Sequence, residues 1–284
     1  MNSNLDENSV LAIVLAAGKG TRMKSELPKV MHEVNGQAML YHVLQALTSA
    51  NIDDVVLVLN EQIAPVVNQY LKNKNTRQNF SIALQLNQQG TADAVACAKV
   101  FFPEYKNIEY CQTRAYDDVG KKMTAKKYAL ILTGDAPAIE SGVLKKFVTD
   151  TIEKKSDLSV LGIELPNPFG YGRILQDKSA QFLGIVEEKD ADAEQKKIQL
   201  CNSGVICGKL DVLFNLLAQV KPKNAQGEYY LTDCFALAVE SGKKVSIFKS
   251  SNWQDFMGIN DREQLLQVEQ WMKSRQLRNS QESI

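Results

Sequence analysis

Short apolar runs alternate with longer amphipathic stretches through the first half of this chain. Residues 10–15, 55–59, 82–86, 128–133 and 158–163 have the length and composition of buried strands. Residues 39–50, 62–71, 92–102 and 143–153 carry apolar side chains at helical spacing. This β-α-β-α rhythm predicts an α/β fold with a doubly wound, mostly parallel sheet. Ligands of such sheets sit beyond the carboxyl ends of the strands. The loops after residues 15 and 133 are therefore expected on the rim of one crevice.

The second half is less regular. A hairpin is expected from residues 172–176 and 181–186, then a polar stretch, 189–197, and an apolar segment, 204–207. Together they read as a β-rich lobe built onto the sheet. From 260 to 278 the pattern is a charged helix with Leu265, Leu266, Val268, Trp271 and Met272 on or near one face. Residues 279–284 read as a disordered tail. The expected units are thus 1–260 and a terminal helix and tail, 261–284. Residues 103–127 are polar and long for a loop. A surface hairpin, a partner site and a mobile flap all fit them.

Composition narrows the class. The 284 residues hold one large α/β domain or two small ones, and 44% hydrophobic content suffices for a packed core. Lys+Arg and Asp+Glu both number 33, so no global field draws nucleic acid or an anionic membrane. The first nine residues lack the basic start of a signal peptide, and the apolar run after them is too short to span a bilayer. Five cysteines form no C-x-x-C pair and only two histidines are present, so idle thiols in a reducing cytoplasm are expected. His32 and His42 fit no triad or metal spacing and are read as structural or surface residues.

The candidate chemistry begins where the first strand opens into Ala16-Ala17-Gly18-Lys19-Gly20-Thr21-Arg22. Gly18 and Gly20 allow backbone N–H groups to approach an anion, and Lys19, Arg22 and Lys29 add positive charge. The spacing is neither that of a P-loop nor that of a Rossmann fingerprint. As a bare pattern it fits a polyphosphate loop or an ordinary strand-to-helix turn. The strand 128–133 ends in Gly134-Asp135-Ala136-Pro137. There Asp135 reads either as a hard-metal ligand or as a turn residue. Residues 85–94 carry amides able to read a base edge, and Gly90-Thr91 opens a helix, with Thr91 near its N-cap as the plainer reading. By local sequence, Asn260 is an N-cap for the last helix.

The run Leu15–Met23 followed by Pro28-Lys29 resembles the L-x-A-G-x-G-T-R-M…P-K signature of sugar-1-phosphate nucleotidyltransferases. The likeness is nearest to the uridylyltransferase half of the bacterial bifunctional N-acetylglucosamine-1-phosphate uridylyltransferases. It extends from Val10 to about Gln264, through G-Y-G-R at 170–173, I-V-E-E-K-D at 185–190, N-S-G at 202–204 and N-A-Q-G-E-Y-Y-L-T-D at 224–233. The resemblance implies a Rossmann-like nucleotidyltransferase fold whose β-rich lobe takes the sugar. It implies Arg22 and Lys29 as catalytic groups, and Asp135 and Asn260 as ligands of Mg²⁺. Leu15, Ala16, Gly18, Gln85, Gly90, Thr91 and Gly134 would bind nucleotide. Gly172, Glu187 and Asn202 would bind the sugar, Asn202 at the N-acetyl group. Two positions depart from the family pattern: Asp93 stands where histidine is usual and Thr133 where tyrosine is frequent.

The implied reaction joins UTP and a sugar-1-phosphate into a UDP-sugar and pyrophosphate, with small molecules as its partners. No six-residue repeat occurs in these 284 residues, so the acetyl-transferring half of the bifunctional relatives is not expected here. Two other readings stay open: a different sugar such as glucose-1-phosphate, and a non-catalytic nucleotide-sugar module.

Overall fold

The first strand, β1 (Val10–Leu15), sends alternate side chains into two separate cores. Val10, Ala12 and Val14 join one cluster, whereas Leu11 and Ile13 join another on the opposite face. A strand buried on both faces reads as a continuous apolar run, which is why its sequence shows no polar alternation. The computed structural model describes residues 9–74, 78–116 and 126–282.

Around β1 the chain continues through a two-stranded β2 (Glu33–Val34) and β3 (Gln37–Ala38), α1 (Met39–Ser49), β4 (Asp54–Leu59), α2 (Ile63–Lys72), β5 (Asn79–Gln85) and α3 (Thr91–Ala96). Then come β6 (Thr113–Ala115), β7 (Tyr128–Thr133), α4 (Ser141–Glu153), β8 (Leu158–Glu164), β9 (Arg173–Gln176) and β10 (Phe182–Val186). The last elements are β11 (Leu200–Lys209), α5 (Leu210–Leu217), α6 (Asp233–Glu240), β12 (Val245–Ser250) and α7 (Arg262–Glu282). The main path of the sheet runs β10-β9-β11-β7-β1-β4-β5-β6, and β8 links β11 to β12. Strands β7, β1, β4 and β5 are mutually parallel, as are β8 and β12. The sheet is therefore mixed but mostly parallel at its centre. Helices α1, α2 and α4 cover one face, and α3, α5 and α6 cover the other.

Register explains how distant segments meet. Strand β11 is antiparallel to β7, with Ile206 opposite Ile131, so residues 201–203 lie past the carboxyl end of β7. Strand β9 joins the same edge through Cys201 and Arg173, and the expected 172–186 hairpin forms as β9 and β10. Arg173, 1% exposed, pins this lobe by donating to Glu188 at 2.6 Å.

Two expectations are corrected, and the open reading of 103–127 is narrowed. The helix expected over 92–102 is α only to Ala96 and tightens to a 3-10 helix over Cys97–Phe101. The described part of 103–127 packs against the body of the fold. Tyr105 stacks on Phe214 at 4.7 Å, Tyr110 stacks on Tyr229 at 3.9 Å, and β6 pairs antiparallel with β5. Residues 117–125 lie outside the described residues. The expected disordered tail is helical to Glu282. Helix α7 packs Val268 and Met272 against Met23, Val34, Met39, Ala138 and Ile259, while Leu266 faces solvent at 56% exposure. Among the described residues no helix is long and apolar enough to cross a membrane.

Candidate functional site

The carboxyl ends of β1, β4, β5 and β7 share one edge of the sheet. Leu15 to Lys29, Gln85 to Thr91 and Gly134-Asp135 lie at or just after the ends of β1, β5 and β7. Gly172 immediately precedes β9, Glu187 immediately follows β10, Asn202 lies in β11 and Asn260 in the segment before α7. The β1 and β7 loops touch directly: the Gly134 N–H donates to the Leu15 carbonyl at 2.9 Å. A Cβ on Gly134 would sit 3.1 Å from that of Ala16, so this approach is tight. Gly20 adopts φ +61, and a Cβ there would meet the Lys29 Cβ at 2.5 Å. Glycine at 20 thus lets the basic loop fold back on Lys29. Gly18 has open space around it, and Lys19 is exposed.

Lys29 and Asn260 bring the centre together across 231 residues of chain. The Lys29 ammonium donates to Asn260 Oδ1 at 2.7 Å and makes a shorter contact to Asp135 Oδ2. Arg22 donates to the same Asn260 oxygen at 3.0 Å. Side-chain exposures of 12% for Lys29 and 19% for Asp135 reduce screening of the pair. Because one ammonium reaches both oxygens, they converge on a point that a single cation can occupy. A carboxylate and an amide oxygen are hard donors, so the pair fits a divalent ion such as Mg²⁺.

The N-cap reading of Asn260 is overturned. The Gln264 N–H donates to Asp261 Oδ1 at 2.9 Å, and the Asn260 N–H donates to Gln264 Oε1 at 2.7 Å. Asp261 therefore caps α7, and the Asn260 side chain is left for the site. The Asp135 carbonyl accepts from the Ile259 N–H at 2.9 Å, which fixes the approach of this segment.

On the nucleotide side, Gly90 rather than Thr91 precedes α3. The Thr91 hydroxyl accepts from the Leu231 N–H at 2.9 Å, and the Ala92 N–H donates to the Tyr229 carbonyl at 2.8 Å. The motif 224–233 is thereby stitched to the start of α3. Gln85 is buried at 5% exposure, and its amide nitrogen faces Asp93 Oδ2 at 2.7 Å and the Gly90 carbonyl at 3.3 Å. The Ala17 carbonyl accepts from Gln88 at 2.6 Å and from Asn60 at 2.8 Å. Sequence reasoning missed Asn60, although an asparagine between a strand and a helix is a capping signal; its Oδ1 accepts from the Ile63 N–H at 2.9 Å.

On the sugar side, a Cβ on Gly172 would stand 3.2 Å from Glu187 Oε2, and the Asn202 N–H donates to the Gly172 carbonyl at 2.8 Å. Asn202 Oδ1 accepts from the Gly204 N–H at 2.9 Å, and its NH₂ has no protein partner among the described residues. Glu187 accepts from the Thr232 hydroxyl at 2.9 Å, a positioning contact absent from the sequence reading. Burial, then the nearby Asp190, pushes the Glu187 carboxyl above its ordinary value. Burial, with Glu187 and Asp190 adding to it, pushes Asp233 up to about 6.

The Asp233 value has a signed consequence. Its carboxyl holds a proton more tightly folded than in a chain with the ordinary 3.8, so it subtracts stability progressively as pH rises from about 4 to about 6. Asp233→Asn is expected to raise the melting temperature at pH 8, the gain closing as pH falls through that window. Thermal unfolding across pH 4–8 checks it; a pH-independent difference would show that Asp233 carries no such penalty.

All five cysteines are free and buried, as expected of idle thiols. Cys97 and Cys111 approach to 3.6 Å beside Asp93, a juxtaposition that no C-x-x-C spacing announced. His42 bonds the Val34 carbonyl at 2.7 Å, a structural role.

The nucleotidyl transferase family model matches residues 11–261. The chain belongs to that family. It is an enzyme of the nucleotidyltransferase class, which typically uses a divalent metal. It is 38% identical over 267 residues to the bifunctional protein GlmU of Syntrophomonas wolfei, covering 94% of this chain and 54% of that protein. It is 39% identical over 264 residues to GlmU of Clostridioides difficile, covering 93% of this chain and 52% of the relative. The chain thus spans about half the length of the curated relatives it matches. A Bacillus anthracis structure assigned as a glucose-1-phosphate thymidylyltransferase, in complex with sucrose, superposes with a TM-score of 0.69 at 17% identity. It covers 93% of this chain and 95% of its own, a likeness of fold.

Proposed function

We propose that this chain transfers the uridylyl group of UTP to N-acetylglucosamine-1-phosphate, forming UDP-N-acetylglucosamine and pyrophosphate. The observation that carries this reading is the convergence of Arg22, Lys29, Asp135 and Asn260 at one edge of the sheet. A sugar phosphate has a second pKa of about 6 and is mostly a dianion at neutral pH. Its oxygen attacks the α-phosphorus, the α–β P–O bond breaks, and pyrophosphate departs. No general base is required, which agrees with a site that has no histidine. The barrier comes from anion repulsion and misalignment, so the protein's task is positioning and charge neutralisation.

Arg22 and Lys29 supply that charge at the reacting phosphates and the leaving pyrophosphate. Mg²⁺ held by Asp135 and Asn260 would add hard positive charge at the same point. Gln85, with Leu15, Ala16, Gly18, Gly90, Thr91 and Gly134 around it, would hold the nucleotide. Gly172 backs the sugar, Glu187 accepts from its hydroxyls, and the free Asn202 NH₂ donates to the acetyl carbonyl. GlmU relatives at 38–39% identity support the uridylyl-transfer reading, and the choice of sugar rests on Asn202 and Glu187.

The test is pyrophosphate release across a panel of nucleoside triphosphates with N-acetylglucosamine-1-phosphate and glucose-1-phosphate. UTP with the N-acetylated sugar is expected to turn over fastest, and activity is expected to stop in excess chelator. A preference for glucose-1-phosphate would reassign the sugar. Failure with every pair would leave a binding module.

A further inference from the structure

Asp93 occupies the position at which the sequence departs most visibly from its relatives' pattern, yet it is 0% exposed and engaged. Its Oδ2 accepts from the Gln85 Nε2 at 2.7 Å and from the Gln89 backbone N–H at 3.2 Å. Its other oxygen, Oδ1, is buried without a partner among the described residues. The backbone N–H of Gln89 can only donate, so Oδ2 accepts that bond, and it accepts from Gln85 as well while any proton of the carboxyl sits on Oδ1. The Gly90 carbonyl, 3.3 Å from the same amide nitrogen, can only accept. Two acceptors therefore face one end of the Gln85 amide. That end must be the NH₂, since the alternative flip would set an oxygen against two oxygens. The Gln85 Oε1 is then turned away from both and has no protein partner among the described residues.

We infer that Asp93 is a specificity-determining positioning residue, which locks the Gln85 amide so that its oxygen meets a pyrimidine carrying an N3–H. Uracil and thymine present an N3–H donor there, and cytosine presents a lone pair. With Gln85 unable to flip, cytosine places an acceptor against Oε1 and leaves both groups unpaired. Sites that hydrogen-bond a ligand reject analogues for this reason. The lock contributes nothing to choosing between ribose and deoxyribose or between uracil and thymine. This inference rests on the proposed function in one respect, that Gln85 faces the base. It goes beyond that reading in assigning the orientation to Asp93 and in naming the base that the orientation excludes.

Asp93 is read as acting through Gln85, so its test must separate orientation from packing. The first measurement is kcat/KM of the wild type for UTP and for CTP, with the same sugar phosphate. The second uses Asp93→Leu, which keeps the branched shape and removes the acceptor. Asp93→Leu is expected to narrow the UTP-to-CTP ratio by roughly tenfold, the scale of one mispaired hydrogen bond, mainly through KM. Gly90 still opposes the flip in this variant, so discrimination is expected to weaken rather than vanish. Asp93→Asn is expected to restore most of the ratio, because the Gln89 N–H holds the new side chain's carbonyl oxygen in the place of Oδ2.

Equal losses on both nucleotides in Asp93→Leu would assign the residue to packing and overturn the inference. A wild type that binds neither pyrimidine nucleotide would instead overturn the proposed function, and this inference with it. Should Asp93→Leu not fold, the wild type still carries a test by side-chain amide NMR, with Gln85→Met locating the signals. The Gln85 NH₂ protons are expected to exchange slowly with water in the nucleotide-free enzyme. Exchange at the rate of an exposed glutamine would show that no lock exists.

Discussion

Lys29→Ala is expected to lower kcat by roughly 10²-fold or more, the scale for losing one preorganised group that stabilises developing charge. The reason lies in where the ammonium sits. It lies between Asp135 and Asn260, 12% exposed, on the segment against which Gly20 closes the basic loop. In the free enzyme it neutralises the Asp135 carboxylate and donates to the Asn260 amide oxygen, the two groups proposed to hold metal. On the proposed mechanism the same charge faces the α-phosphate and the departing pyrophosphate. Alanine keeps the Cβ that packs against Gly20, so the loop is expected to stay folded and the melting temperature to change little. Arg22, 3.0 Å from Asn260 Oδ1, is exposed and makes no ion pair with Asp135 among the described residues, so it is not expected to replace Lys29. Steady-state kinetics with UTP and N-acetylglucosamine-1-phosphate, beside thermal unfolding, separate the effects. A rise in KM for UTP with kcat intact would make Lys29 a ground-state binder.

The second large effect is on architecture. Gly90 has φ +123 and ψ −176, a conformation essentially confined to glycine, and a Cβ there would lie 2.5 Å from the Tyr229 carbonyl oxygen. Gly90→Ala must therefore strain its own backbone or push Tyr229 away. Together these costs amount to roughly 2–5 kcal/mol. Displacing Tyr229 also breaks the Ala92-to-Tyr229 and Leu231-to-Thr91 bonds that tie the 224–233 motif to α3. The expected outcome is a lower denaturation midpoint with a large rise in KM for UTP. A fully stable Gly90→Ala with unchanged kinetics would mean that the close approach of Tyr229 is not maintained in solution.

Much of this was legible before any coordinates. The central strands carry uninterrupted Val/Ile/Leu runs because both their faces are buried, and the glycine-rich exit of β1 is unusual enough to mark the crevice. Less legible was whatever depends on partners far along the chain. The acidic Asp93 looked like a weakness in the nucleotide motif, whereas the fold pairs it with an amide eight positions upstream. The segment after Phe102 fitted a surface hairpin, a partner site or a mobile flap equally well. Its tyrosines are polar enough to pass for surface residues, and only the stacking on Phe214 and Tyr229 makes them structural. Asn260 was ambiguous between cap and ligand because both functions use the same side-chain oxygen. One residue, Asp261, decides it by taking the cap.

That division between Asn260 and Asp261 joins two properties that are usually separate. The cap of α7 and the side chain proposed for the metal are adjacent residues, bound through one glutamine, Gln264. Helix termini fray at free energies well below that of global unfolding. Fraying of the first turn of α7 is expected to release Asn260 while the sheet, and every buried strand in it, stays intact. Heat inactivation is therefore expected to track the local opening of one helical turn and to precede the loss of the fold.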